Sequence, residues 1–539
     1  MAVTRRAVLN AMARLGGAGA VYETLAVWDF LRPPPALAAG LENPRESGAG
    51  KTVAILGAGV AGLCAAYELD RAGYDCVILE ADSRLGGRSL TVRPGDTFRE
   101  IDGPAQQCAF DDGLYLNVGP GRIPHHHVHV IDYCRRFGVA LQPFIFASRA
   151  NLVHTGHLGN GKTMPVRQAL YDLQGHVAEL LDKCIAKGGI DQPVTGVDLE
   201  KLREMLARFG GLTKVEKQGE RAQWVYRNAT GRAGYDIPPA HAGEPGRPLS
   251  PMALDEILRS RVWDDYIFRD AEYYWQTSLL EPVGGMDNFV KAFARQSLAR
   301  PGGGAIEGLI RYGAKVTGIE VGADKVAVRY DQDGVRTLTA DFCICTIPMP
   351  IFTTLRTNLP AAYMQAARAL PVQAAGKVGW QAERFWETKD RIYGGISWTT
   401  DDINQIWYPS HGYLSRKGTL TGAYMFGASA DRFNALPVAE RLHIARQQGE
   451  RLHPGFADAV EHGLAIAWDR MEHARFAWAN EGDPGFAEPA RTLSSPQGRF
   501  HMAGDQITWW SGWQEGAIIS AWEAVKSIDR VTRPATARP

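Results

Sequence analysis

The stretch that most constrains this chain is "TVAILGAGVAGLCAAYELDRAGYDCVILEAD", Thr52 to Asp82. A β-branched apolar run leads into Gly57, Gly59 and Gly62 in G-x-G-x-x-G spacing. An alanine-rich helical stretch and a second apolar run follow, ending at Glu80. The glycines have separate mechanical tasks: a tight turn, backbone approach to a pyrophosphate at a helix N-terminus, and close packing of helix on strand. The acid after the second strand is placed to accept hydrogen bonds from an adenosine ribose. The pattern predicts a βαβ unit in an α/β fold, with a dinucleotide held by Gly57, Gly59, Ala61, Gly62 and Glu80.

At 539 residues the chain is long enough for two or three domains, or for one interrupted by insertions. Lysine plus arginine equals aspartate plus glutamate at 59 each, which removes any electrostatic case for nucleic acid. No uninterrupted apolar run approaches the roughly 20 residues that span a bilayer. The seven cysteines are odd in number and scattered, unlike a disulfide framework. Cys343 and Cys345 alternate along "DFCICTIP", so they share one face of a strand, and further metal ligands are not near. Arg5-Arg6 before a weakly apolar stretch, with Ala36-x-Ala38 beyond it, reads either as a twin-arginine export signal or as a retained N-terminal helix of a cytoplasmic protein.

Beyond the first unit, "HVHVIDYCRRFGV" and the segments near 165–186 and 198–208 have helical spacing, while 215–250 reads as a long surface connection. Alternation across 305–347 predicts a meander of strands. "ISWTTDDINQIWYPS" and "GTLTGAYMFGAS" read as further strands, and a final helix begins near Gly512.

After Glu80 comes "EADSRLGGRSLTVR", and here the chain resembles the flavin-containing amine oxidase superfamily, whose first βαβ unit ends in an acid followed by a Gly-Gly-Arg turn. "LLEPVGGMDNF" (279–289), "AKVTGIEV" (314–321) and, above all, "FHMAGDQITWWSGWQEGAIISAW" (500–522) extend the likeness. The resemblance implies FAD. It assigns Arg84, Gly87 and Arg88 to the pyrophosphate side and the Val316 backbone to the adenine side. Gly504 and Asp505 go to the pyrophosphate-ribityl portion, and Gly512, Trp513 and Gln514 to the isoalloxazine. Some relatives tether the flavin through a cysteine near "MEHARFAWANEGDPG"; no cysteine follows Cys345 here, so non-covalent FAD is expected.

Lys377, in "AAGKVGWQAERFWE", matches the family lysine that holds a water at flavin N5. Trp513 with a second aromatic, Phe476 or Trp478, would align the substrate. "LYLNVGPGRIPHHHVHVIDYCRRFGV" resembles L-amino acid oxidases in particular. The resemblance makes Arg122 the carboxylate-gripping residue, counts Gly119, Gly121 and Arg122 among the cofactor contacts, makes Tyr408 the partner hydroxyl, and has the Gly512 carbonyl accept from the amino group. A planar guanidinium suits a carboxylate bidentately. The run His125, His126, His127, His129 reads as solvated or supporting rather than metal-binding, since adjacent histidines diverge at a helix start.

The expected architecture is a Rossmann-type FAD-binding domain from 46–118, 280–348 and 490–535, interleaved with a substrate domain from 119–279 and 349–489 that carries a helical insertion at about 130–270. The expected reaction is oxidation of L-amino acids with hydrophobic or aromatic side chains by dioxygen, giving 2-oxo acids, ammonia and hydrogen peroxide, by a homo-oligomeric enzyme. Amine oxidation without a carboxylate, decarboxylating monooxygenation and flavin-free binding, as in guanine-nucleotide dissociation inhibitors, are the alternatives.

Overall fold

A computed structural model describes residues 48–533 except 158–160, 190–195, 217–221, 265–266 and 300–301. The Arg5-Arg6 segment lies outside the described residues. The predicted unit is present as strand β1 (Thr52–Leu56), helix α1 (Val60–Arg71) and strand β2 (Asp75–Leu79), with β1 and β2 parallel. They nucleate a five-stranded parallel sheet in the order Ile310–Arg311, β2, β1, Phe342–Cys345, Phe500–Met502. Strands distant in sequence thus converge on the carboxyl end of β1, where an open parallel sheet places its ligand.

Both faces of this sheet are covered, as parallel sheets require. Val53, Ile55, Phe342 and Ile344 face a core shared with α1 and the last helix, Gln514–Thr532. Ala54, Leu56, Cys343 and Cys345 face the opposite core. The two cysteines do share a face, as free buried thiols. The predicted meander is real over Lys315–Val321, Val326–Asp331 and Val335–Ala340, which pair antiparallel. Its last member, Phe342–Cys345, leaves it to pair parallel with β1. An all-buried apolar strand belongs to a covered sheet rather than to a half-solvated one.

A second, seven-stranded sheet carries the other half of the site, in the order Val460–Ala467, Ala375–Glu383, Lys417–Phe426, Gln405–Tyr408, Gly395–Thr399, Leu152–His154, Thr163–Pro165. The insertion supplies helices Val166–Ala186 and Gly196–Gly210. The 215–250 stretch, read as plain connection, contains two small ribbons, Thr213–Val215 with Gln223–Val225 and Tyr235–Ile237 with Arg247–Pro248. Among the described residues no helix is long and apolar enough to cross a membrane.

Candidate functional site

A cavity of about 800 Å³ runs from the end of β2 to the second sheet. Its wall at one end is mostly backbone: Gly57, Gly59, Ala61, Gly87, Val316 and Gly504 line it. Gly57 has φ +106°, open to glycine and strained for other residues, and a Cβ on Gly62 would lie 1.9 Å from the Gly57 carbonyl oxygen. The glycine loop therefore closes only as glycine. Around the Cβ position of Gly59 there is open space, so the wall is bare backbone at the N-cap of α1, whose first turn carries no acid. The amide groups and dipole of that helix end form a seat for an anion.

Glu80 closes this end. Its carboxylate accepts from the Ala58 N–H (2.6 Å) and the Asp82 N–H (2.8 Å), and burial pushes its pKa up. Each carboxylate oxygen keeps a further lone pair for a ligand hydroxyl. A second helix N-terminus reaches the cavity from the far end of the chain, where Gly512, Trp513, Gln514 and Ala517 line it. Gln514 donates to Ser89 Oγ at 2.9 Å, while its Oε1 is sealed without a partner. Bare glycine backbone, two convergent helix ends and an orphaned amide oxygen fit a dinucleotide carrying a polar ring system. They fit the FAD that the resemblance implies. Among the described residues no cysteine lines the cavity.

The arginines expected here divide. Arg88 lines the cavity, but its guanidinium is paired with both carboxylate oxygens of Asp505 and donates to the Ala477 carbonyl. Asp505 in turn accepts from the Gly512 N–H at 2.8 Å, so this pair sets the approach of the last helix to the Gly-Gly-Arg turn. Arg84 is off the wall, tied to Asp82 (3.3 Å) and to the Gly87 carbonyl (2.8 Å).

The opposite end is built from side chains. Lys377 is 3% exposed on a strand paired on both sides, the second of the seven, donating to the carbonyls of Asn117 (2.9 Å) and Gly119 (2.6 Å). Burial, helped by the charge of Arg122, brings its pKa down to about 7. The cross-strand partner of Lys377 is Tyr424, and both line the cavity. Trp478 lines it too, anchored by its indole N–H on Gln373 Oε1 at 3.1 Å. Phe476 does not; it is buried beneath the Arg88 guanidinium, 4.7 Å from ring centre to Cζ.

Of the turn expected against the cofactor, Gly119 lines the cavity and Gly121 does not, and Arg122 stands beside this end rather than on the cavity wall. Its Cζ lies 4.4 Å from the Trp407 ring centre, 4.7 Å from Trp275, 5.4 Å from Phe146 and 5.9 Å from Trp513. Nε and Nη1 are sealed from solvent with no hydrogen-bond partner. Burial lowers its pKa to about 10, so it stays charged at neutral pH. The tight turn is explained locally: a Cβ on Gly119 would sit 2.0 Å from the Arg88 carbonyl oxygen, and one on Gly121 would sit 2.6 Å from the Trp407 ring.

Tyr408 does not join this group. Strand side chains alternate, and its neighbour Trp407 takes the Arg122 face. Tyr408 therefore points into the opposite core, where its hydroxyl meets Ser397 Oγ (2.7 Å) and His453 Nε2 (2.5 Å). Tyr424 is the tyrosine on the correct face. Its presence in an alternating strand was legible, but which tyrosine opposes Lys377 depends on register, which no local pattern encodes. Trp275, Trp407 and Phe146 were likewise missed, coming from three segments with no shared motif. His129 accompanies the backbone N–H groups of His129 and Val130 on the Glu515 carboxylate, and among the described residues no cluster of three or more metal-ligating side chains occurs.

The chain is similar to several known proteins. A flavin-dependent L-tryptophan oxidase, RebO, from Lentzea aerocolonigenes is 29% identical over 89% of this chain and 98% of its own. An L-amino-acid oxidase from Protobothrops flavoviridis is 27% identical over 89% of each. Among solved structures, the cyclohexylamine oxidase of Brevibacterium oxydans superposes with a TM-score of 0.57 at 19% identity, covering 89% of this chain and 99% of its own. The model of the flavin-containing amine oxidoreductases matches residues 60–529, and the chain belongs to that family.

Proposed function

We propose that this flavin oxidoreductase is an L-amino acid oxidase, converting its substrate with dioxygen and water to a 2-oxo acid, ammonia and hydrogen peroxide. The observation that carries this reading is the Arg122 guanidinium, charged, enclosed by aromatic rings and left with two sealed, unpartnered nitrogens. Donors sealed from water without a partner cost free energy, which an incoming carboxylate relieves. An amine without a carboxylate has no use for it. The relatives named L-tryptophan oxidase and L-amino-acid oxidase support the same reading.

FAD, when bound, supplies a two-electron acceptor for the Cα hydrogen and returns those electrons to dioxygen. The chain does the positioning. Arg122 fixes the carboxylate, and the Tyr424 hydroxyl stands near enough to Arg122 that the two influence each other's ionisation. Trp513 and Trp478 confine the substrate between polar anchor and cofactor, which turns an encounter into an aligned reaction. Lys377 uses two of its donor positions on carbonyls and keeps one for a water or a proton in transit. A pKa near 7 lets it do either at neutral pH. A carboxylate arriving at Arg122 cancels part of the charge that depresses Lys377, so substrate binding raises the affinity of Nζ for a proton.

The test is anaerobic mixing of the purified holoprotein with L-amino acids and with the amines obtained by decarboxylating them. Flavin bleaching by the amino acids alone is expected. Bleaching by the amines at equal rates overturns the reading, and an amide product with release of carbon dioxide assigns monooxygenation instead.

A further inference from the structure

The histidine run that the reaction leaves unused has an unusual polar state. Both ring nitrogens of His126 and Nε2 of His127 are sealed from solvent and have no hydrogen-bond partner. His127 is 2% exposed, and burial, followed by the charges His126 and His125 can carry, brings its pKa down to about 2. Its imidazole is therefore neutral under any working condition, with one nitrogen a donor and the other an acceptor. A phenylalanine would fill a similar volume without the desolvation penalty of an orphaned nitrogen. Packing alone does not account for the choice.

The surroundings indicate the kind of group that meets these nitrogens. The His127 ring lies edge-on to Trp513 with centres 4.9 Å apart and 5.7 Å from Trp510. His126 is 4.9 Å from Trp510, 5.4 Å from Tyr273 and 5.5 Å from Tyr274. Trp513 is also in contact with the carboxylate end, 5.9 Å from the Arg122 Cζ and 5.6 Å from Trp275. One indole thus stands between the Arg122 guanidinium and an imidazole whose Nε2 has no partner. Of these rings Trp513 lines the cavity, with His127 and Trp275 packed directly behind it, so a planar side chain extending from Arg122 along Trp513 would point toward the His127 edge.

On the basis of the reading above, we propose that His127, with Trp513 and Trp275, forms the side-chain subsite, and that it selects amino acids whose aromatic ring carries its own N–H or O–H, as in tryptophan and tyrosine. Aromatic walls supply the offset and edge contacts a ring prefers. The imidazole supplies the discrimination, because a site built to hydrogen-bond a substrate group rejects the isostere that lacks it.

The experiment compares kcat/KM of the wild-type holoenzyme for L-tryptophan and for 3-(1-benzothiophen-3-yl)-L-alanine, which keeps the ring shape and replaces N–H by sulfur. Tryptophan is expected to be favoured about tenfold or more, the worth of one desolvated hydrogen bond. His127→Phe should erase most of that preference, and His127→Gln, which can still hydrogen-bond, should retain part of it. Equal rates for the two substrates in the wild type overturn the inference, as does a preference that survives in His127→Phe. If neither variant folds, the wild-type pair of substrates decides alone. Should no L-amino acid bleach the flavin, the amino acid oxidase reading fails and this inference with it. Oxidation of amino acids without the tryptophan preference sinks only the inference.

Discussion

The two ends of the cavity are built by opposite methods. The nucleotide end is backbone, contributed largely by two short stretches, 57–62 and 80–88, whose residues are chosen for what they lack: a Cβ at Gly57, Gly59 and Gly62. The other end is side chain, lined by Lys377, Tyr424 and Trp513 with Arg122, Phe146, Trp275 and Trp407 packed beside it, from segments spread over most of the chain. Backbone contacts to phosphate are the same for every ligand of the class. Side-chain contacts are where one substrate is told from another, so the second end is free to diverge while the first is not.

The contrast is broken most severely at the glycine loop. Gly62→Ala places a methyl 1.9 Å from the Gly57 carbonyl oxygen, on backbone that cannot give way. The variant should purify colourless, as read by its flavin absorbance; a full complement of FAD would show that the loop has slack. At the other end Arg122→Leu should keep the flavin and lose about 2–5 kcal/mol of transition-state binding for amino acids, roughly 30- to 5,000-fold in kcat/KM. Retained amino acid turnover would leave the guanidinium without a task.

A pH experiment separates the ends further, because the nucleotide seat relies on backbone and the substrate end on a buried lysine. Lys377 has a folded pKa near 7 against the ordinary 10.5, so between those values the unfolded chain binds more protons and stability rises with pH. The penalty is complete below pH 7 and gone above 10.5. Lys377→Met, which does not titrate, should melt higher than wild type at pH 6, with the gap narrowing as pH increases, while its turnover falls. A gap that stays constant with pH would mean Lys377 is not held near neutrality.

The smallest and sharpest test exchanges two tyrosines. Tyr424→Phe should lower kcat/KM about tenfold for amino acids, the effect of one hydrogen bond near a buried carboxylate. Tyr408→Phe should leave turnover as it is and cost about 1 kcal/mol of stability, through the lost bonds to Ser397 and His453. The reverse pattern would restore Tyr408 to the site.

The legibility of the site follows the same division. The βαβ unit and the terminal flavin motif could be read because each depends on neighbours within a few residues, or on a motif preserved as a block. Arg84, placed by motif at the pyrophosphate, turns out to be held by Asp82 and the Gly87 carbonyl. Arg88 and Asp505, each assigned to the cofactor separately, hold each other. Phe476 and Trp478 lie two residues apart, yet only Trp478 reaches the cavity. In every such case the residue was visible and its partner was not.

By itself the sequence determined the α/β class, the dinucleotide seat and the family, because a tight turn, a helix N-terminus and a strand are properties of contiguous backbone. Tertiary structure alone decided that Tyr424 rather than Tyr408 faces Arg122, that three tryptophans surround that arginine, and that His127 abuts Trp513. Those choices are made by strand register and by the packing of remote segments, where a shift of one residue carries a side chain to the opposite face and into a different chemistry.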